Sequence, residues 1–404
     1  MGSGADGRLE GQIASVLPGS KVAELAKSLM KIPSINPPGQ EKEVAEFTAS
    51  WFETRGFDCR VRAKDPNRPN VEVRLEGGAG PDSANSLLFN THMDVVPVGE
   101  GWTHPPFDPV LENGKLFGRG SSDTKGGMAA MMLAMEALKS KAKDKLAGTL
   151  VLQCVSDEET GGIYGSSFLA QQGLRADFGI VAEPTDLAVC TAHKGDITFE
   201  LTTKGKAAHA SLPREGHSAI LDMNSAISEL LDYSKQIQAR TNHPLLGFPT
   251  VNVGVISGGL KSNIIPDRCW IAAERRVVPP EEVDQCKKEI ESLFSKLKIA
   301  QPGFDYDLQF INATGASEVS REHRGVQTLF SVLRDLSAKS PAKPVGFTAT
   351  CDAYFLNKVA GVPTVIVGPG SLSRAHTRDE YVDVEELGTA AKAYAWTALR
   401  FLAP

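Results

Sequence analysis

Apolar residues recur every three to four positions along residues 21–31 and again along 41–55, the spacing that gathers them on one face of a helix. Gly56 follows the second stretch where a helix end needs a left-handed residue, so both read as amphipathic helices. Residues 87–90, 149–155, 178–182 and 364–367 are different, being short and almost continuously apolar. Such runs lack the polar alternation of a half-exposed strand and are separated by helical segments such as residues 128–139. They predict strands buried on both faces of a mostly parallel sheet. The opening residues 1–7 carry no apolar pattern and read as a disordered start.

The middle of the chain has another rhythm. Residues 197–203 and 250–256 carry β-branched residues at strand spacing, 219–240 and 281–297 have helical periodicity, and 268–277 and 304–310 add two more strands. The order β-α-β-β-α-β is that of a split βαβ, or ferredoxin-like, α+β domain. With 404 residues there is room for an α/β core and an insertion. The expected organisation is a core in two pieces, residues 1–194 and 312–404, interrupted by a second domain at residues 195–311.

Composition narrows the function classes. Hydrophobic residues at 41% and charged residues at 23% suit a folded soluble protein. Lys and Arg number 43 against 49 Asp and Glu, a net charge of −6 without a long run of one sign, which argues against nucleic acid and anionic membranes as partners. No apolar stretch is long enough to span a bilayer, and the first twenty residues lack the apolar block of a signal peptide. Six dispersed cysteines without a CxxC fit buried thiols in a reducing compartment, so a cytoplasmic location is expected.

Candidate chemistry collects where the predicted strands end. His92 and Asp94 close the first apolar run, and at strand spacing Asp94 would face the imidazole and set its tautomer. Asp123 sits in a glycine-rich loop that feeds a helix; the P-loop spacing is not met, so it reads as a helix cap or a metal bridge. Three acids, Asp157, Glu158 and Glu159, follow the second run, and Glu183-Pro184 follows the third. Adjacent carboxylates at a sheet end repel one another unless a cation or shared proton compensates. His376 comes after the last run. Each feature alone has an ordinary explanation, as a loop histidine, a cap or a solvated turn. Together they fall on the edge where open α/β sheets bind ligands.

The ordered series His92-x-Asp94, Asp123, Glu158-Glu159, Glu183-Pro184 and Ala375-His376 resembles the M20 metallopeptidase family, which includes acetylornithine deacetylase, succinyl-diaminopimelate desuccinylase, aminoacylases and glutamate carboxypeptidase. The resemblance runs through nearly the whole chain. Within the family, Ala192-His193-Lys194-Gly195 and His376-x-x-Asp379-Glu380-Tyr381 look most like the deacetylase and desuccinylase branch. The resemblance implies two Zn²⁺, with Co²⁺ or Mn²⁺ as alternatives. One ion would be held by His92 and Glu183, the other by Glu159 and His376, with Asp123 bridging. Glu158 would then be the general base and Asp94 the partner of His92. It also implies that the inserted domain is a lid through which a homodimer forms, that His209 supplies a donor to the oxyanion, and that Gly259, Asn263 and Arg276 bind a substrate carboxylate. His193 is expected near the site. The implied reaction is hydrolysis of a small N-acyl amino acid; a carboxypeptidase or dipeptidase acting on a short peptide is the alternative.

Overall fold

The computed structural model describes residues 4–78 and 85–403. The chain divides into two compact units, Met1–Thr191 with Val319–Phe347 and Cys351–Pro404, and Ala192–Glu318 with Thr348–Thr350. Part of the expected disordered start is helical instead. Gly4–Ala14 is a helix because tertiary contacts hold it: Ile13 is fully buried, and Glu10 accepts from Trp396 and pairs with Arg400. Met1–Ser3 lie outside the described residues.

In the first unit the two amphipathic stretches form the helices Gly19–Met30 and Lys42–Glu53. Gly56 ends the second with φ 67°, and the amide of Phe57 reaches back to Phe52. The four apolar runs form the middle of one sheet. Asn85–His92 lies parallel between Gly148–Val155 and Phe178–Val181, and Thr364–Ile366 lies parallel on the far side of Phe178–Val181. Beyond Gly148–Val155 the sheet turns antiparallel, through Pro69–Glu76 and then Asp58–Ala63. The sheet is therefore mixed, with a parallel centre. The two outer strands escape a search for continuous apolar runs because Pro69–Glu76 alternates buried Val71, Val73 and Leu75 with Asn70, Glu72 and Arg74, and Asp58–Ala63 is a largely exposed edge.

Helices Lys125–Lys141 and Val384–Phe401 cover the sheet through an apolar cluster that includes Met128, Met131, Met135, Phe89 and Tyr394. Each such side chain taken from water contributes about 1.5–3 kcal/mol. This core makes the parallel strand ends a rigid platform.

The second unit has its own core. Its antiparallel sheet runs Thr250–Gly258, Arg268–Val277, Gly195–Lys204, Asp305–Thr314. Helices Ala219–Arg240 and Val283–Ala300 close it, with Phe199, Leu201, Met223, Leu230 and Phe294 packed together. Ser218 caps the first of these helices by accepting the Leu221 amide. The elements follow the split βαβ order. Among the described residues no helix is long and apolar enough to cross a membrane, and all six cysteines are free thiols, five of them buried.

Candidate active site

Parallel strands deliver their carboxyl ends to one edge, and the predicted ligand residues gather there. His92 is the last residue of Asn85–His92; Glu158 and Glu159 open a short helical turn after Gly148–Val155; Glu183 follows Phe178–Val181. Asp123 comes just before Thr124, the residue that begins helix Lys125–Lys141, so it is not itself the cap. The imidazole Nε2 of His92 lies 3.0 Å from Asp123 Oδ1, 3.7 Å from Glu183 Oε1 and 4.0 Å from Glu158 Oε2. His376 Nε2 lies 3.0 Å from Glu159 Oε2 and 3.4 Å from Asp123 Oδ2. Asp123 thus stands between two imidazoles.

Crowding buried acids has an electrostatic cost that appears in their protonation. Burial, with Asp123 nearby, pushes the Glu159 carboxyl up to about 7 and raises Glu183 well above the usual carboxylate range. Burial and the Glu183 carboxylate do the same to Glu158. Hydrogen bonds to Asp123 and Glu159 push His376 up to about 10. Burial disfavours a charged His92, yet Asp123 and Asp94 outweigh it and raise its pKa. Burial likewise opposes ionisation of Asp123, but the two imidazoles lower it. Buried Oε1 of Glu159 and Oε1 of Glu183 find no hydrogen-bond partner among the described residues.

Those orphaned acceptors suit a cation. His92, Asp123 and Glu159 form one set with ligand atoms all within 4.8 Å of one another, and His92, Glu158 and Glu183 form another. Imidazole nitrogen and carboxylate oxygen are donors for zinc, cobalt or manganese. The donor set therefore fits divalent metal. Glu158 reaches the same position as Glu183, so proximity alone does not separate a base from a ligand there.

Three carboxylates around the cluster shape its backbone. The Asp94 side chain was expected to face the His92 ring, but the strand ends at His92 and the chain turns. His92 Nδ1 instead lies 2.9 Å from the Asp94 carbonyl, with the carboxylate at 3.6 Å. That carboxylate accepts from Asn36 Nδ2 and from the amides of Glu158 and Glu159. Asp157, first of the three acids, adopts a left-handed backbone (φ 74°) and is matched by Arg68, Thr160 and the Tyr164 amide. Arg68 also pairs with buried Glu41 at 2.5 Å. On the other side, buried Glu380 accepts the amides of Ser122 and Asp123 and pairs with buried Arg119. Sequence reasoning missed Glu41 and Arg68, and met Glu380 only as part of the motif that follows His376, without a supporting role. Asp352 has one buried oxygen without a partner among the described residues, and burial pushes it up to about 7.

The remaining candidates belong to the second unit. His209 is exposed, its Nδ1 2.7 Å from Ser211 Oγ, on a short strand that pairs with Ile264–Ile265. The Asn263 carbonyl accepts the Ala210 amide, so these two are neighbours, and Gly259 (φ 74°) forms the turn before them. Arg276 lies in the four-stranded sheet with its guanidinium held by Glu274 at 2.7 Å and by Thr350. Its neighbour Arg275 points the other way and is fully buried against Glu281. His193 is buried, with Nδ1 2.9 Å from the Lys194 carbonyl. Histidines given no role have structural partners: His217 with Asp222, His323 capping Arg324–Asp335, and His104 stacked on Phe117.

Residues 88–400 match the family described as peptidase family M20/M25/M40. The chain belongs to this family. Among curated relatives, this M20 hydrolase is 32% identical over 395 residues to N-formyl-4-amino-5-aminomethyl-2-methylpyrimidine deformylase of Bacillus subtilis, covering 91% of each chain. It is 28% identical over 369 residues to acetylornithine deacetylase of Proteus mirabilis, covering 89% of this chain and 92% of the relative. Its fold is similar to that of a dinuclear metal-binding M20 peptidase from Bacillus subtilis, with TM-score 0.70 at 15% identity over 95% of this chain and 98% of the other.

Proposed function

We propose that this M20 hydrolase removes a small acyl group from an N-acylated amine or amino acid, using two divalent cations, zinc by preference. The observation that carries the two-cation reading is the pair of orphaned buried oxygens on Glu159 and Glu183 within a cluster of like charges. His92 and Glu183 would hold one ion, Glu159 and His376 the other, and Asp123, within reach of both imidazoles, would bridge. Bound there, the ions would offset the acids, polarise the scissile carbonyl and acidify a water.

The chain's own groups then have distinct tasks. Glu158 takes the proton of the attacking water on a carboxylate oxygen, holds it away from bulk solvent, and returns it to the departing nitrogen. Asp94 keeps the Glu158–Glu159 turn in register with His92 through the two amides it accepts. The amide bond is cleaved without a covalent enzyme intermediate. His209 would supply a donor to the oxyanion of a partner subunit, and Arg276 with Asn263 and Gly259 would hold a substrate carboxylate.

Two lines of support favour deacylation and self-association. Relatives of matched length include a deformylase and a deacetylase, at 32% and 28% identity. In the second unit Thr250–Gly258 is an edge strand bearing exposed Val255 and Ile256, and helix Ala219–Arg240 exposes Leu221 and Leu231. An apolar edge strand is a template for pairing, and a second copy of this chain is the occupant we assign. A cytoplasmic location completes the reading.

The deciding experiment loads chelator-stripped protein with Zn²⁺, counts ions per chain, and assays N-formyl and N-acetyl amines, N-acetylornithine, acyl-glutamates and dipeptides. Two ions and turnover of acylated amines are expected. Turnover of dipeptides alone overturns the deacylase reading in favour of a peptidase. Sedimentation of the same sample tests the dimer, and a monomer at micromolar concentration would refute it.

A further inference from the structure

We infer that Glu380 is a positioning residue that sets the distance between Asp123 and His376, and so controls the cation position on the His376 side separately from the one on the His92 side. The inference rests on the two-cation reading above. Glu380 is fully buried, and both of its oxygens are taken up by one loop, Gly118–Asp123. Oε1 accepts the amides of Ser122 (2.8 Å) and Asp123 (3.0 Å), while Oε2 takes Arg119 Nη1 at 2.7 Å. The Glu380 carbonyl also accepts the Gly118 amide at 2.9 Å. One residue therefore ties both ends of the Gly118–Asp123 loop to the segment that carries His376.

That segment is otherwise poorly suited to holding a ligand still. His376 (φ 61°) and Asp379 (φ 51°) both take left-handed backbone conformations, which a non-glycine residue adopts at some cost. His376 is more than half exposed. External contacts must fix it. Arg119, buried and ion-paired to Glu380, donates at 3.3 Å to the Thr377 carbonyl next to His376. Asp379 accepts the amides of Thr103 and His104.

The division of labour follows from what Glu380 alone reaches, since Asp94 holds a residue on each side. Asp94 accepts the amides of Glu158 and Glu159 and sits beside His92; Glu380 accepts the amide of Asp123 and sits beyond His376. Asp123 belongs to both sides, with one oxygen toward each imidazole. Releasing Glu380 loosens the Asp123 backbone and, through Arg119, the His376 segment together, whereas His92 and Glu183 keep their places at the ends of their strands.

The test is a Co²⁺ titration of chelator-stripped full-length protein, followed by visible absorption and calorimetry. Wild-type protein is expected to show two sites. E380Q, which keeps the volume but leaves one oxygen to serve both Arg119 and the two amides, is expected to keep one site at wild-type affinity and to weaken the other by about 10- to 100-fold, the usual loss when an outer support of a metal ligand is removed. If E380Q does not fold, E380D keeps the charge beside Arg119 while withdrawing it from the amides, and the same uneven weakening is expected. Two sites with wild-type affinity, or two sites weakened equally as a general loss of packing would give, overturn the assignment. A wild-type chain with fewer than two sites instead overturns the two-cation reading on which it rests.

Discussion

Each unit of the chain buries a cluster of charge, and the two clusters are built on opposite principles. In the second unit, Arg275 is fully buried and every strong group around it is matched. Its fork meets Glu281 at 2.7 and 3.2 Å, its Nε meets Tyr233, and Tyr233 and Arg240 share Glu289. In the first unit Glu158, Glu159, Glu183 and Asp123 crowd two imidazoles, leaving buried acceptors on Glu159 and Glu183 without partners among the described residues. A satisfied cluster holds a fold together; an unsatisfied one costs stability and is retained where a ligand completes it. Burial and charge alone would make the two clusters look alike. Their unpaired atoms tell them apart.

The largest expected effect separates chemistry from stability. Glu158→Gln keeps the size of the base and removes its proton exchange, so turnover should fall about 10²- to 10⁴-fold. Ions bound per chain and the melting temperature should change little. If the variant instead loses a cation, Glu158 is a ligand, as its place beside Glu183 in reach of His92 would allow. Next comes the structural cluster. Arg275→Met takes the two-pronged partner from Glu281, which keeps only Arg240 at 3.4 Å and the Val278 amide, and should destabilise the chain by up to about 3–5 kcal/mol in denaturant unfolding. Cation content at saturating metal should be unaffected, and removing Glu281 as well (R275M/E281L) should recover part of the loss. Equal destabilisation by the single and double variants would show that the pair is not the source.

Much of this division was legible in the chain before any fold was known. The parallel centre, the helices on either side of it, and the collection of His92, Asp123, Glu158, Glu159, Glu183 and His376 at one edge follow from apolar runs that end in ligand-type residues. The supports were not legible. Glu41, Arg68 and Arg119 have no period or spacing relative to the residues they hold, and Glu380, though four residues after His376, gives no sign of its reach to Asp123, because these contacts cross loops that only the folded chain brings together. Arg275 and Arg276 show the same limit at closer range. Adjacent in sequence, they point to opposite faces of strand Arg268–Val277, one buried and ion-paired, the other half exposed. Asp94 was found for a partly mistaken reason. Strand periodicity would have aimed its carboxylate at the imidazole, yet the turn after His92 gives it to the Glu158 and Glu159 amides.

The unsatisfied cluster should also betray itself in the metal-free protein. Folded, it holds protons on Glu159 up to about 7 and on His376 up to about 10, whereas the unfolded chain begins to release them near the ordinary values of 4.5 and 6.5. The folded form therefore binds more protons through this range. The stability these groups contribute is present at low pH and lost as the pH rises. The lowered Asp123 works in the other direction, but only below the ordinary carboxylate range. Cations must displace those protons, so added Zn²⁺ should raise the melting temperature more at pH 8 than at pH 6. An equal rise at both values would mean that the acids are already ionised without metal.

The smallest effect comes from the second unit and has the opposite sign. His193 is buried, and loss of hydration lowers its pKa from 6.5 to about 4. Below pH 6.5 the unfolded chain takes up a proton that the folded chain refuses until about pH 4. The unfolded state then binds more protons, so stability falls as the pH drops through that window. His193→Asn has no proton to gain. Comparing wild type with H193N at pH 7 and pH 5, the drop in melting temperature on acidification should be smaller in the variant. The metal cluster contributes equally to both chains and cancels in that difference. An identical drop would show that His193 is protonated in the folded state, with its second nitrogen matched by a buried water or an acid. His193 Nε2 finds no partner among the described residues. A ring that stays neutral is therefore an unsatisfied group of the second unit outside the Arg275 cluster, and the contrast holds between the two clusters and not between the two units as wholes.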